Sequence, residues 1–297
     1  MPRSPVALSL ALVVAGATCA VAISCGESET AGGSTSERAA SARPADRFDS
    51  EAALALLKQQ LALGPRPAGS DASRKLAKQL RRQLPKGSYQ DVPGGLRNVI
   101  GKVEGRDPER VVVLGAHYDT KDEPDFVGAN DGASGTAVVV ELARRLKPRQ
   151  LRPTIVFALF DGEESPRGTR DEDFERKGLR GSKVAARAYR DAEAMILLDF
   201  VGDRDLSIPR EANSDPKLWA QLRAAAKRAG KQKHFPDANF GPVSDDHVPF
   251  LRQGVPAIDL IDFDFACFHQ GCDDRSAVSE ASLDATGESV LELLRTL

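Results

Sequence analysis

The sequence predicts an α/β protein: a mostly parallel, doubly wound sheet, covered by helices on both faces and folded as a single domain. Two observations carry this. Runs such as Val111-Val112-Val113-Leu114 and Ile155-Val156-Phe157-Ala158-Leu159-Phe160 are apolar on consecutive residues, as strands buried on both faces must be. These runs alternate with stretches at helical spacing, the order that lays crossover helices on both sides of a parallel sheet.

The elements follow in order. Met1 and Arg3 open the chain, and an uncharged run continues through Leu8, Leu10, Leu12, Val13 and Val14 to Ile23, the layout of a signal peptide over residues 1–24. The run ends Ala22-Ile23-Ser24-Cys25, which resembles a bacterial lipoprotein cleavage box and makes Cys25 the expected site of lipidation. An uncleaved anchor or ordinary cleavage nearby is the plainer alternative. Residues 25–47 are rich in Ser, Thr, Gly, Ala, Glu and Arg with almost nothing to bury, and read as a disordered tether. The protein is thus expected to be exported, either lipid-anchored to the outer face of the cell membrane or secreted.

The folded domain is expected over residues 48–297. Its roughly 250 residues suit one sizeable core. Ser50 precedes a helical stretch from Glu51 to Leu63 that Gly64-Pro65-Arg66-Pro67 stops, and Ser70 or Asp71 caps a second helix over residues 72–84. Strands are predicted at Asn98 to Val103, Val111 to Ala116, Thr154 to Phe160, Ala194 to Leu198 and Ala257 to Ile261. Helices are predicted at Gly132 to Leu146, Lys183 to Tyr189, Pro216 to Ala229 and Leu283 to Leu297. Lys and Arg total 41 against 43 Asp and Glu, so no charge imbalance points to nucleic acid, and membrane contact is expected through the lipid anchor only.

Chemistry gathers where the strands end. His117-Tyr118-Asp119 follows the second predicted strand, Asp161-Gly162-Glu163-Glu164 the third and Asp199 the fourth; His269 lies beyond the fifth, and Asp131 opens the helix that follows the second. In a doubly wound sheet these positions share one edge, where ligands collect. Carboxylates brought so close repel one another unless a cation neutralises them, and mixed His and Asp/Glu ligands without cysteine suit a catalytic zinc. Glu163 and Glu164 are adjacent and cannot point the same way in extended chain, so one can bind metal while the other transfers protons. Taken singly, Asp131 would be a helix cap and Asp161-Gly162 a turn. The mixed-charge run from Arg170 to Lys177 reads equally as a solvated loop or as the rim of a pocket.

His117-Tyr118-Asp119-Thr120-Lys121, Phe126 to Asp131, Phe160 to Glu164, Leu197-Leu198-Asp199 and Ser244-Asp245-Asp246-His247-Val248-Pro249-Phe250 together resemble the signature blocks of the M28 zinc peptidases and their relatives, the animal-type glutaminyl cyclases. The similarity runs from about Gly64 to the C-terminal helix. It implies that Asp131, Glu164 and His269 bind zinc and that Glu163 is the general base and acid. In the aminopeptidase branch, His117 and Asp199 would hold a second zinc with Asp131 bridging; in the cyclase branch one zinc serves, and Asp199 joins a proton-relay network with Asp245. Lys121, Leu197-Leu198 and the doubled Asp245-Asp246 favour the cyclase branch. Against it, Phe268 stands where the cyclases have a tryptophan before the zinc histidine, a second tryptophan after the paired glutamates is missing, and Asp259 replaces a histidine of their hydrogen-bond network.

The expected function is therefore a zinc enzyme acting on peptide or protein N-termini, a glutaminyl-peptide cyclotransferase first, an M28 aminopeptidase second, and a catalytically silent peptide-binding lipoprotein third. Export favours pairing of Cys267 with Cys272 as a disulfide, which leaves His269 free for the active metal. The spacing Cys-x-His-x-x-Cys leaves three ligands of a structural zinc as the alternative.

Overall fold

The computed structural model describes residues 47–297. The expected signal peptide, the lipidation site Cys25 and all of the expected tether except Arg47 lie outside the described residues. Within them, a six-stranded sheet has the order β1-β2-β4-β3-β5-β6, built from β1 (Ser88–Val92), β2 (Leu96–Val103), β3 (Asp107–His117), β4 (Pro153–Phe160), β5 (Ala194–Asp199) and β6 (Ala257–Ile261). The strands β4, β3, β5 and β6 run parallel, whereas β2 pairs antiparallel with β4 and carries β1 antiparallel at the edge. The predicted parallel core is there, extended by a hairpin. The sequence reading missed β1, because Ser-Tyr-Gln-Asp-Val shows neither an apolar run nor a clean alternation and buries little beyond Val92.

The helices are α1 (Ser50–Leu61), α2 (Asp71–Gln83), α3 (Ala133–Arg145), α4 (Phe174–Lys177), α5 (Arg180–Ala188), α6 (Pro216–Arg228), α7 (His247–Arg252) and α8 (Glu280–Leu294). Alternate strand residues serve opposite faces. Leu114, Phe157, Ile196 and Leu260 pack with apolar residues of α1, α2, α3, α6 and α8, while Val113, Ala158, Leu197 and Ala257 face Ala185 and Ala186 of α5 and Phe250 of α7. Both faces are covered, so the central strands carry unbroken apolar runs, from Val111 to Ala116, Ile155 to Phe160 and Ala194 to Leu198. The cap of α1 is Asp49, which accepts from the Ala52 N–H, rather than Ser50, whose hydroxyl donates to Glu280. Ser70 caps α2 by accepting from the Ser73 N–H.

The topology fixes where a ligand can sit. After β3 the chain turns through α3 to β4 on one side, and after β5 it travels to β6 on the other, so the connections diverge between the carboxyl ends of β3 and β5. That divergence opens a crevice. One close approach supports its floor: a Cβ added to Gly135 in α3 would lie 2.1 Å from the Leu198 carbonyl oxygen of β5. Gly135→Ala should therefore push α3 off the sheet and destabilise the domain by about 1–3 kcal/mol, the usual cost of overpacking. A thermal midpoint equal to that of the parent would show that the helix can shift without cost.

Candidate active site

Each site residue is placed by the end of a strand or by the turn that follows it. His117 ends β3, and its Nε2 lies 3.1 Å from Asp131 Oδ1 and 3.2 Å from Asp199 Oδ1, the latter at the end of β5. Asp131 offers its other oxygen, Oδ2, to His269 Nε2 at 3.4 Å, and the same nitrogen lies 3.4 Å from Glu164 Oε1. Asp131 is thus shared between two histidines. It does not cap α3, whose N-cap is Gly132 with no side-chain bond, so the capping alternative falls away.

Two groups of metal-ligating side chains result among the described residues: Asp131, Glu164 and His269, and His117, Asp131 and Asp199. In each group the candidate ligand atoms lie within 4.8 Å of one another. A tetrahedral zinc with ligands at about 2.0 Å has ligand–ligand edges of about 3.3 Å, which the 3.1–3.4 Å separations match. Asp131 Oδ2 and Glu164 Oε1 are buried and close no hydrogen bond, as oxygens awaiting a cation would be. The residues fit zinc.

The paired glutamates diverge because their backbone is held from two sides. Asp119 accepts the N–H of Glu163 on one carboxylate oxygen and that of Glu164 on the other, both at 3.3 Å. Leu179 and Arg180 N–H donate to the carbonyls of Glu163 and Gly162, each at 2.8 Å. Glu164 then turns toward His269, and the Lys121 ammonium stands 3.1 Å from its Oε2. Glu163 joins neither ligand group. Burial first, and then the charges of Glu164, Asp245 and Asp246, raise its carboxyl pKa well above the ordinary range, which suits a group that must carry a proton near neutrality. Burial likewise pushes the Asp199 carboxyl to about 7 against the opposing pull of His117, and raises that of Asp245.

A cleft of about 380 Å³ opens on this floor. Asp131, Glu163, Glu164, Asp199, Asp245 and His269 all line it. Its walls are aromatic: Phe268 stacks on the His269 ring with centroids 3.8 Å apart, and Phe263 packs against both Phe268 and Phe240. Phe240 and Phe268, 38% and 37% exposed, are the large apolar side chains left open among the described residues, and both line this mouth. Phe174 of α4 also lines the cleft, so an aromatic ring does come from the segment after the paired glutamates, though it is not a tryptophan. Arg170 and Asp171 line it too, which settles the mixed-charge run as a rim. His269 and Phe200 both have left-handed backbones, φ 51° and 46°, a cost that ordinary residues bear only where the surroundings impose it.

Cys267 and Cys272 are joined as a disulfide, which excludes a thiolate zinc site and leaves His269 to the cleft. Behind Asp245, the fully buried His247 lies between Glu211 at 3.2 Å and Asp259 at 3.5 Å. Sequence reading had not singled out Glu211, which sits far from any signature block; nothing local marks it. It also missed Phe240 and Phe263, which reach the cleft only through tertiary folding.

Parallel strands with a carboxylate and histidine floor, a buried glutamate beside it and a cleft above them define a metal-dependent enzyme of the zinc exopeptidase fold class. Residues 98–294 match the model of peptidase family M28, and the chain belongs to that family. A crystal structure of an Acidobacteriales bacterium glutaminyl cyclase is 31% identical, superposes with a TM-score of 0.74 and covers 84% of this chain and 94% of its own. A leucine aminopeptidase precursor from Bacteroides thetaiotaomicron is 28% identical at a TM-score of 0.75, covering 84% and 98%. A relative from Leptosphaeria maculans, described as a probable zinc metalloprotease, is 31% identical over 211 residues. That alignment takes in 56% of this chain and 46% of the relative, so the chain spans less than half of that protein's length.

Proposed function

We propose that the enzyme converts the N-terminal glutamine of peptides to pyroglutamate, releasing ammonia. The observation that carries this reading is the unequal access of the two ligand groups. All three of Asp131, Glu164 and His269 line the cleft, whereas in the other group only Asp131 and Asp199 do: His117 is 1% exposed, faces Asp119, Asp131 and Asp199, and does not reach it. One accessible zinc, held by Asp131, Glu164 and His269, is what cyclisation requires.

When bound there, zinc would supply Lewis-acid polarisation of the substrate's side-chain amide oxygen. The chain's own groups do the rest. The neutral α-amine attacks the amide carbon and closes the five-membered ring, and Glu163 takes the proton that the attacking nitrogen sheds as the new C–N bond forms. The same Glu163 then gives that proton to the departing nitrogen as the C–N bond breaks and ammonia leaves. Asp199 and Asp245, buried beside it with raised pKa values, stabilise the proton on this side of the cleft. Phe240, Phe263 and Phe268 keep water from the reacting carbon, and no water is consumed.

The second reading, an aminopeptidase, rests on the His117, Asp131 and Asp199 group, whose spacing also fits an ion. There Glu163 would activate a water molecule instead. Incubating zinc-loaded protein with Gln-, Leu-, Ala- and Lys-initiated peptides separates the two. Ammonia and a product lighter by one ammonia are expected from the Gln peptides alone. Free amino acid from the others, without pyroglutamate, would replace the cyclase with the peptidase.

A further inference from the structure

The segment Val127-Gly128-Ala129-Asn130-Asp131 delivers a proposed ligand with almost no secondary structure of its own, yet its backbone is held on both sides by buried charges. On one side stands Arg66, fully buried. Its Nη1 donates to the Val127 carbonyl at 2.9 Å as well as to that of Gly64, and its Nη2 reaches the Gly128 carbonyl at 3.4 Å. The arginine is itself fixed at its backbone, where its N–H donates to Thr120 Oγ1 at 2.8 Å and its carbonyl accepts the Thr120 N–H at 3.2 Å. On the other side stands Asp273, also fully buried. Its carbonyl accepts the Ala129 N–H at 3.1 Å, Oδ1 the Asn130 N–H at 2.7 Å and Oδ2 the Asp131 N–H at 3.1 Å.

Five backbone polar groups on four consecutive peptide units are thereby bonded: two carbonyls by the guanidinium, two N–H groups by the Asp273 carboxylate and one by the Asp273 backbone carbonyl. The sign of each clamp suits what it binds. Asp273 also directly follows Cys272, so it belongs to the loop that carries His269. The loop that supplies one ligand thus grips the backbone of the loop that supplies another. Burial of a guanidinium without a fixed role would be costly, and here Asp131, Asp119 and Asp273 supply the compensating charge.

We infer that Asp273 and Arg66 are positioning residues that hold Asp131 in register with His269, preassembling the zinc site before the ion arrives. This rests on the assignment of Asp131, Glu164 and His269 as ligands. Neither residue belongs to a ligand group: Asp273 acts through the N–H groups of Asp131 and the two residues before it, and Arg66 through the carbonyls of Val127 and Gly128 that lead into them.

The test is zinc affinity, measured by competition with a chromophoric chelator, together with kinetics at saturating zinc. In Asp273→Asn the amide offers one acceptor where two converging N–H groups need one each, and its NH2 must face the other donor. Zinc affinity should fall about tenfold to a hundredfold, the scale seen for groups that orient ligands, while KM at saturating zinc stays unchanged. Arg66→Lys keeps the charge, loses the fork and should weaken zinc less. It carries the test by itself should D273N fail to fold. A purely structural role would lower the melting temperature of the zinc-free protein and leave zinc affinity alone. Affinity within threefold of the parent in either folded variant overturns the clamp. His269→Ala serves as the control: if it too keeps parental zinc affinity, the ligand assignment has failed instead.

Discussion

Glu163→Gln is expected to bind zinc as the parent does and to turn over substrate about a hundredfold to ten-thousandfold more slowly, the range lost when a general acid-base group is removed. The expectation has three roots. Glu163 contributes to neither ligand group, so the amide should not disturb the ion. Its backbone is pinned by Asp119 and Leu179 through bonds that the substitution leaves untouched. Its carboxyl lines the cleft, and burial and the charges of Glu164, Asp245 and Asp246 raise its pKa well above the ordinary range; glutamine can neither take nor give that proton. Zinc content by metal analysis and turnover by ammonia release should therefore separate. Loss of zinc in the variant, with unchanged residual turnover, would mean that Glu163 and Glu164 have exchanged roles.

His269→Ala is expected to do the reverse, abolishing both zinc binding and activity. Its Nε2 is the atom that brings Asp131 Oδ2 and Glu164 Oε1 to one point; without it two buried carboxylates face each other with no neutral donor between them. The affinity loss should exceed about a hundredfold, the upper end for residues one shell further out. The surrounding loop should persist, since the Cys267–Cys272 bond and Asp273 hold it independently of the imidazole. Metal analysis after dialysis against chelator makes the measurement. Stoichiometric zinc retained in the variant would place the resident ion in the His117 group.

Much of this was legible because the chemistry falls where strand signals stop. Within β3, β4 and β5 the runs Val111 to Ala116, Ile155 to Phe160 and Ala194 to Leu198 have no polar side chain, and each stops at the candidate site: at His117, at Asp161 just before the paired glutamates, and at Asp199. Periodicity therefore found both the fold and the site edge. It failed at β1, a half-exposed edge strand of polar residues, and at the short helices α4 and α7, too brief to show a period. It also failed for groups whose meaning is tertiary. Arg66 reads as part of a helix stop, and nothing local marks Asp273 or Glu211, because what defines them is a backbone or an imidazole brought from elsewhere in the chain. The cleft's aromatic wall was sought as tryptophan at two positions, whereas the fold supplies phenylalanines from separate loops.

The shared carboxylate of Asp131 has a consequence for how the enzyme comes into being. Its partners His117 and His269 lie on opposite sides of it in sequence, and the second arrives only with the chain beyond β6, the last strand to be made and an edge of the sheet. The site is thus a contact of high sequence separation, closed after the loop entropy of nearly the whole domain has been spent. A nascent or partly folded chain that has formed β3, β4 and β5 holds Asp131 and Glu164 without their imidazole. A chain truncated just beyond β6 would keep all six strands yet lack both His269 and the core helix α8, and is expected to have no zinc-dependent activity.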